Sequence, residues 1–158
     1  MKLALITDLH FGARNDSQTF ARYFERFYRE TFFPELEKRG IKHVVDLGDT
    51  FDRRKYISYV SLKSAKEMFF NPLIDGGYQL HCIVGNHDSV YKNTIELNSI
   101  DLLLSDYNNI TTWSRPGTYN IEDFKVFVVP WICAENKEET FLLADKTDAQ
   151  VCFGHLEL

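Results

Sequence analysis

Four short apolar stretches of this 158-residue chain run directly into carboxylate, imidazole or amide side chains, and this recurrence constrains the fold more than any other feature. The stretches cover residues 3–7, 44–47, 80–84 and 151–153. Each is short and bounded by polar residues or glycine, which favours a buried β-strand. The chain is therefore expected to place four groups of polar side chains at the ends of four strands.

The third stretch leads into Gly85-Asn86-His87-Asp88, which is not the sequence of an ordinary turn. Glycine allows backbone conformations that other residues resist, so the next three side chains can be presented at the edge of a sheet. In open α/β sheets, ligands bind at the carboxyl ends of the strands. The other stretches end in a similar way, and six side chains are expected to meet at one edge: Asp8, His10, Asp49, Asn86, His87 and His155.

Carboxylate, imidazole and amide oxygen together suit a divalent cation of intermediate hardness, such as manganese, iron or zinc. Two such cations about 4 Å apart can hold phosphate oxygens and generate a hydroxide for in-line attack, and they need one shared ligand. Asp49 is the candidate for this shared ligand, because its carboxylate has two oxygens and follows a central strand. Asp8 and His10 are two residues apart and can face one pocket, and Asn86 offers a neutral oxygen.

The other polar residues of these motifs suit acid–base chemistry. His87 is adjacent to Asn86 and shares its direction only in part, so we predict that it is a general acid that protonates the leaving oxygen. Asp52, three residues after Asp49, is a candidate for orienting His87 and raising its basicity.

Length and composition indicate a single domain, since 158 residues with 44% hydrophobic and 26% charged residues can bury a sizeable core. The net charge of −5 argues against a protein that holds nucleic acid through bulk positive charge alone. No uncharged stretch is long enough to span a bilayer, and the first residues lead directly into a strand. We therefore expect no membrane association and a cytoplasmic location, which would be the host cytoplasm for a phage protein.

Helical periodicity lies between the strands, at about residues 18–39, 58–70 and 94–105. Aromatic residues in the first segment repeat at the spacing of one helix face, which predicts a stripe that faces the core. Pro34 is expected to end or kink this helix, and Gly40 to close it. Thr94 is a candidate cap for the third helix.

The later part of the chain shows a different pattern. Residues 110–113, 118–121 and 125–130 are predicted to form three strands without helices between them, followed by a helix at 135–144. Alternating strands and helices followed by a meander predict an α/β fold with two packed sheets and helices outside.

The four motifs resemble, in order and spacing, those of the calcineurin-like metallophosphoesterases. They are Asp8-Leu9-His10, Gly48-Asp49-Thr50-Phe51-Asp52, Gly85-Asn86-His87-Asp88 and Gly154-His155. The resemblance covers the whole chain and implies a four-layer αββα sandwich, with two mixed sheets and a dinuclear metal site. It also implies metal ligands at Asp8, His10, Asp49, Asn86 and His155, and a proton donor at His87.

Within that superfamily, the chain is most similar to the nuclease subunit of SbcCD-type recombination and repair complexes, especially to its phage counterparts. The motifs that carry this similarity include Val129-Pro130-Trp131 and Gly154-His155-Leu156-Glu157. The similarity implies a DNA exonuclease and endonuclease that uses two manganese ions, with magnesium as an alternative. It also implies an ATPase partner of the SbcC type and a homodimer.

One departure from the family concerns the end of the chain. Members of the family have a further Gly-His-x-His motif that completes the second metal site, and this chain stops at Leu158 before such a motif. We therefore interpret residues 1–158 as a nuclease domain truncated before that motif, the capping domain and the ATPase-binding tail.

Two other functions remain open at this point. Residues 48–53 also resemble a motif of protein serine/threonine phosphatases, although those enzymes typically have arginine where this chain has Val84. A scaffold without metal chemistry is the third possibility.

The basic residues Arg14, Arg53 and Arg54 can contact substrate phosphates or form an ordinary solvated charge run.

Overall fold

A computed structural model describes residues 1–157 and contains two β-sheets. The first sheet consists of β1 (Leu3–Ile6), β2 (His43–Asp46), β3 (Gln79–Ile83) and β4 (Ile110–Trp113), in that order. Its neighbouring strands are all parallel. The carboxyl ends of β1, β2 and β3 therefore lie along one edge, and three of the four motifs begin there.

The second sheet has three strands, β5 (Gly117–Ile121), β6 (Phe124–Val129) and β7 (Val151–Gly154). β5 and β6 form an antiparallel hairpin, whereas β7 is parallel to β6. Mixed pairing is therefore confined to the second sheet. The parallel pairing brings the end of β7, with the fourth motif, to the end of β6.

The predicted meander is wrong for its first strand. Ile110–Trp113 does not pair with the next strand along the chain, but is parallel to β3, with Leu80 opposite Ile110 and Ile83 opposite Trp113. Alternating apolar residues predict that a strand is buried, but they carry no information about which of two sheets it joins. The predicted strands at 118–121 and 125–130 do form a hairpin.

Seven short helices connect and cover the strands. They are α1 (Ala13–Asp16), α2 (Gln18–Phe27), α3 (Phe33–Arg39), α4 (Tyr59–Ala65), α5 (Asn71–Asp75), α6 (Ser99–Leu104) and α7 (Lys137–Ala144) among residues 1–157. None of the helices in this part of the chain is long and apolar enough to cross a bilayer.

Two wide π-helical turns allow helices to continue through proline. Tyr28–Phe32 joins α2 to α3, and Lys66–Phe70 joins α4 to α5. In both cases proline is the second residue of the helix that follows, where its missing N–H is tolerated. The predicted end of the helix near residue 70 is therefore wrong, because the chain remains helical to Asp75. Gly40 closes α3 as predicted, with a φ of 64°.

The helix predicted to begin at Thr94 begins four residues later. Asn98 caps α6, because its side-chain oxygen accepts a hydrogen bond of 2.8 Å from the backbone N–H of Asp101. Thr94 instead accepts from the N–H of Glu96 in a turn. Threonine and asparagine are both good caps, so sequence alone did not distinguish between them.

The aromatic stripe of the first helix is only partly buried. Tyr28 and Phe32 lie in the core, but Phe20, Tyr23 and Phe27 are 40%, 69% and 43% exposed. Within α2, Phe24 packs against the core, so the prediction of a core-facing stripe is wrong for Phe20, Tyr23 and Phe27. Helical spacing shows which residues share a face, but not whether another element covers that face.

Two hydrophobic cores define the layers. One core lies between the first sheet and its helices, and includes Tyr28, Phe69 and Phe70. The other core lies between the two sheets, and includes Val45 and Trp113. With α7 beside β5 on the outer face of the second sheet, the predicted α/β architecture of two sheets flanked by helices is confirmed.

Three stacked rings on the first sheet face the second sheet. His81 is stacked between His43 and Trp113, with ring centroids 5.6 Å and 4.9 Å apart. His43 Nε2 lies 3.1 Å from a carboxylate oxygen of Glu122, in the turn between β5 and β6. Burial, with a contribution from His43, lowers the pKa of His81 to about 4. The neutral ring is therefore a structural part of the interface between the sheets.

This burial predicts a dependence of stability on pH. The folded-state pKa of His81 lies below its usual value of 6.5, so the contribution of the neutral ring is complete above that pH and is lost as the pH falls toward 4. In urea unfolding experiments, the wild type should lose about 2 kcal/mol relative to His81→Phe between pH ~7 and ~4.5. Parallel pH curves for the two proteins would show that His81 does not titrate in this way.

Candidate metal centre

Backbone hydrogen bonds continue beyond β1 and β2 and hold the first two motifs side by side. The N–H groups of Asp8, His10 and Phe11 donate to the carbonyl oxygens of Gly48, Asp49 and Thr50 respectively, over 2.9–3.0 Å. The polar residues after β1 are thereby fixed against those after β2. The first two motifs consequently form one rigid platform at the sheet edge.

Three residues of this platform have a left-handed backbone. The φ angles of Asp8, His10 and Asp49 are 55°, 42° and 58°. Such conformations cost of order 1–3 kcal/mol each in non-glycine residues and persist where the surroundings enforce them. They turn the three side chains toward a common space, and this strain at three adjacent polar residues indicates a functional constraint.

Two glycines allow the loops to approach closely. Gly48 has a φ of 110°, and a Cβ atom at this position would lie 2.6 Å from Nδ1 of His155. A Cβ atom at Gly85 would overlap the carboxylate and backbone nitrogen of Asp49. Side chains at either position would therefore push apart the residues that meet at this edge.

The carboxylate of Asp49 lies between two histidines. Its Oδ1 is 3.4 Å from Nε2 of His155, and its Oδ2 is 3.8 Å from Nε2 of His10. The side chain is only 6% exposed. Each carboxylate oxygen thus faces a different imidazole, as expected for a ligand shared between two cations.

His155 and Asn86 meet on one side of Asp49. Nδ1 of His155 lies 3.0 Å from the carbonyl oxygen of Leu47, to which it donates, so the lone pair of the neutral ring is on Nε2. The side-chain oxygen of Asn86 lies 2.8 Å from this Nε2. Two acceptor atoms this close to each other are unfavourable. Either the amide of Asn86 is reversed, so that its NH₂ group donates to His155 and to Asp49, or both acceptors bind one cation. The donor chemistry of this group therefore fits a divalent cation.

Asp8, His10 and Asp52 lie on the other side of Asp49. Nε2 of His10 is 3.4 Å from Oδ1 of Asp8, and its Nδ1 is 3.5 Å from Oδ1 of Asp52. The Nδ1 atom is buried and has no hydrogen-bond partner within the usual geometry. The opposite ring nitrogen, Nε2, fits a cation, because the carboxylates of Asp8 and Asp49 lie 3.4 Å and 3.8 Å from it.

His87 lies next to both groups. Its Nδ1 is 2.6 Å from the backbone carbonyl oxygen of Asp52, and its ring packs edge-on against His10 at 4.9 Å. The proposal that Asp52 orients His87 is therefore corrected in detail, because the backbone carbonyl does so and the carboxylate faces His10. One ligand atom each of His10, Asp49 and His87 lies within 4.8 Å of the other two, so His87 can also reach a cation.

Two buried carboxylates hold the loops from behind, and sequence reasoning assigned no role to either. Asp88 accepts hydrogen bonds from the N–H groups of Gly85, Asp49 and Phe51. Burial raises the pKa of Asp88 to about 6 despite these donors. Asp46 accepts from the N–H of Gly48 at 3.1 Å, and burial raises its pKa to about 8. Two features of the sequence pointed to these residues. Asp46 stands within an apolar strand, and Asp88 is the last residue of the third motif.

The three arginines have different surroundings. Arg53 is paired with Asp16 at 2.7 Å. Hydrogen bonds from Ser58 and Ser61, together with this pair, lower the pKa of Asp16 to about 2. The guanidinium of Arg54 lies over the ring of Trp131. Arg14 is exposed in the left-handed turn of α1. Arg14 therefore has the most accessible guanidinium of the three, and Arg53 the most engaged one.

Replacement of Asp88 tests whether this carboxylate holds the loops together. Asp88→Asn would turn an NH₂ group toward a buried N–H, so we expect a loss of about 2–3 kcal/mol in the free energy of unfolding. Urea unfolding in the presence of a chelator measures this effect without any contribution from metal. The exposed Asp106→Asn should change stability by less than about 0.5 kcal/mol. Equal effects of the two substitutions would contradict the role of Asp88.

Comparison with known proteins agrees with this geometry. A family model described as calcineurin-like phosphoesterase matches residues 1–157. Exonuclease subunit 1 of Enterobacteria phage T4 is 33% identical to this chain over 158 residues. That match covers 100% of this chain and 46% of the phage protein, so the chain spans about half the length of this curated relative. The resemblance found in the motifs is thereby confirmed, and the chain belongs to the calcineurin-like phosphoesterase family, whose members use divalent metals.

Proposed function

We propose that this protein is a nuclease that hydrolyses phosphodiester bonds of DNA with two divalent cations. The observation that carries the proposal is the position of Asp49, whose two oxygens face His10 and His155 on opposite sides. In this proposal one cation is held by Asp8, His10 and Asp49, and the other by Asp49, Asn86 and His155. The cations would supply charge at the phosphate oxygens and lower the pKa of a bound water.

His87 is the proposed proton donor to the leaving oxygen. Its Nδ1–H is held by the carbonyl of Asp52, so Nε2 is the atom that can exchange a proton with substrate. Asp52 thereby fixes the direction of the ring through its backbone, and its carboxylate orients His10. Asp52 therefore orients both histidines, His87 through its backbone carbonyl and His10 through its carboxylate.

DNA is the proposed substrate because of the relative and the shape of the site. The phage T4 relative is named as an exonuclease subunit. Asp8, Asp49, Asn86 and His155 line a depression that is open to the surface, and an open site suits a polymeric substrate. Arg14 and Arg54 are proposed to contact phosphates, whereas Arg53 would first have to leave Asp16.

Several finer features of the function belong to the same proposal. Manganese is the preferred cation, with magnesium as an alternative. The partners are DNA and an ATPase subunit of the SbcC type, and the protein acts as a homodimer in the cytoplasm during recombination and double-strand-break repair. Residues 1–158 would form the nuclease domain of a longer protein, to which a further metal-binding motif, a capping domain and an ATPase-binding tail belong. The subunit name and larger size of the relative support this arrangement.

A comparison of two substrates tests the proposed activity. With manganese present, the full-length protein that contains residues 1–158 should cleave linear duplex DNA and turn over a chromogenic phosphomonoester more slowly, because the open depression accepts a polymer. Turnover of the monoester alone would instead identify a phosphomonoesterase. A protein that binds no manganese, measured by metal analysis after dialysis, would be a scaffold without metal chemistry.

Replacement of His87 distinguishes a proton donor from a metal ligand. His87→Ala should slow DNA cleavage by ~10²–10⁴-fold, the usual contribution of a general acid, and leave the number of bound manganese ions unchanged. Asn86→Ala is the matched variant, since it removes the neighbouring side chain and should weaken binding of one ion. Loss of a manganese ion in His87→Ala would make this residue a ligand, and unchanged cleavage would exclude it from the mechanism.

A further inference from the structure

Trp131 contacts three segments that lead to the polar residues of the site, although no role in the proposed mechanism has been assigned to it. The residue follows β6 and is 7% exposed. Its backbone N–H donates a hydrogen bond of 2.9 Å to the carbonyl of Val84, directly before Gly85. The main chain of Trp131 is thereby tied to the start of the motif that contains Asn86 and His87.

The ring of Trp131 contacts a second segment. The guanidinium of Arg54 lies 4.9 Å from the ring centroid, and its NH1 donates to the carbonyl of Ser89 at 3.3 Å. Arg54 is two residues after Asp52, whose carbonyl holds His87. The cation–π contact therefore connects Trp131 to the segment after the second motif. The hydrogen bond from Arg54 to Ser89 connects that segment to the one after the third motif.

The indole nitrogen contacts the third segment. Nε1 of Trp131 donates to a carboxylate oxygen of Glu157 at 3.1 Å. Glu157 is two residues after His155, whose backbone N–H donates to the carbonyl of Val129 at 3.0 Å. Residues 129–131 and 155–157 are thus joined at both ends, and His155 itself makes one of the two connections.

We propose that Trp131 and Glu157 are positioning residues that hold His155 against Asn86 and Asp49. Within the proposed function, they fix His155, which follows a strand of the second sheet, against Asn86 and Asp49, which follow strands of the first sheet. A hydrogen bond from an indole N–H is directional, so it sets the path of the chain after β7 more precisely than apolar packing does. Partners of this kind typically change metal affinity by 10–100-fold when they are removed.

Glu157 also lines the same open depression as Asp49 and His155, so it could act as a donor in its own right. The contact with Trp131 engages only one of its two carboxylate oxygens, so the two roles have to be separated by experiment. Replacement of Glu157 by glutamine distinguishes a positioning residue from a metal ligand. Glutamine can still accept a hydrogen bond from Trp131, but it lacks the charge of a carboxylate ligand.

Titration with manganese separates these roles. Trp131→Phe keeps an aromatic ring beneath Arg54 but removes the N–H donor together with the fused five-membered ring, whereas Glu157→Leu removes the acceptor and leaves the indole in place. Each should weaken one of the two manganese-binding steps by about tenfold and leave the other unchanged. Glu157→Gln should bind both ions as the wild type does, and the double variant should be no weaker than either single one, because both remove the same hydrogen bond.

Trp113→Phe is the matched control, because Trp113 lies in the core between the sheets and packs against His81 and Tyr119. This variant should lower the melting temperature without selective loss of one binding step. Equal binding by Trp131→Phe and the wild type would overturn the proposal, as would equal selective loss in Trp113→Phe. Weak binding by Glu157→Gln with normal binding by Trp131→Phe would overturn it in favour of Glu157 as a ligand.

A metal-free readout separates this inference from the proposed function. The Nδ1–H of His155 is bonded to the carbonyl of Leu47, so its exchange with solvent reports the position of the ring. In metal-free protein, NMR should show faster exchange of this proton in Trp131→Phe and Glu157→Leu, but not in Trp113→Phe. Failure of the wild type to bind manganese would contradict the proposed function alone, whereas unchanged exchange would contradict the role of Trp131.

Discussion

The carboxylate of Asp88 accepts hydrogen bonds from the backbone of two loops, and the arrangement of the site depends on this interaction. The acceptor is fully buried and receives N–H groups from Gly85, Asp49 and Phe51. These loops follow neighbouring parallel strands, and nothing in the strand pairing alone would hold them together beyond the sheet. An ionised acceptor in an apolar environment interacts strongly with such donors, so the loops have one relative position.

That position has an electrostatic consequence. Asp8, Asp49 and Asp52 each lie within 3.8 Å of a ring nitrogen of His10, and Asp49 also faces Nε2 of His155, so the sheet edge collects negative charge. The left-handed backbone of Asp8, His10 and Asp49 adds conformational strain at the same place. The folded scaffold therefore maintains an arrangement that is unfavourable by itself and that a divalent cation would relieve.

The elements that were predicted incorrectly share one cause. The strand Ile110–Trp113 and the aromatic face of α2 both had the right periodicity, but their neighbours differed from the expected ones. Thr94 and Asn98 were comparable caps, and only the tertiary contacts of Thr94 with the segment around Glu135 separate them. Local sequence constrains which residues share a face, whereas contacts distant in the chain decide what lies against that face.

By itself, the sequence determined that four apolar strands end in Asp8, His10, Asp49, Asn86, His87 and His155, and that the chain is an α/β protein of this family. These properties follow from local periodicity and from motif order, which are present in the linear chain. Only the tertiary structure decided that Asp49 faces two histidines, that Asp52 holds His87 through its backbone, and that Asp88 joins the loops. Hydrogen-bond direction depends on how separate segments approach one another, and this approach is fixed by packing of the whole domain rather than by any one segment.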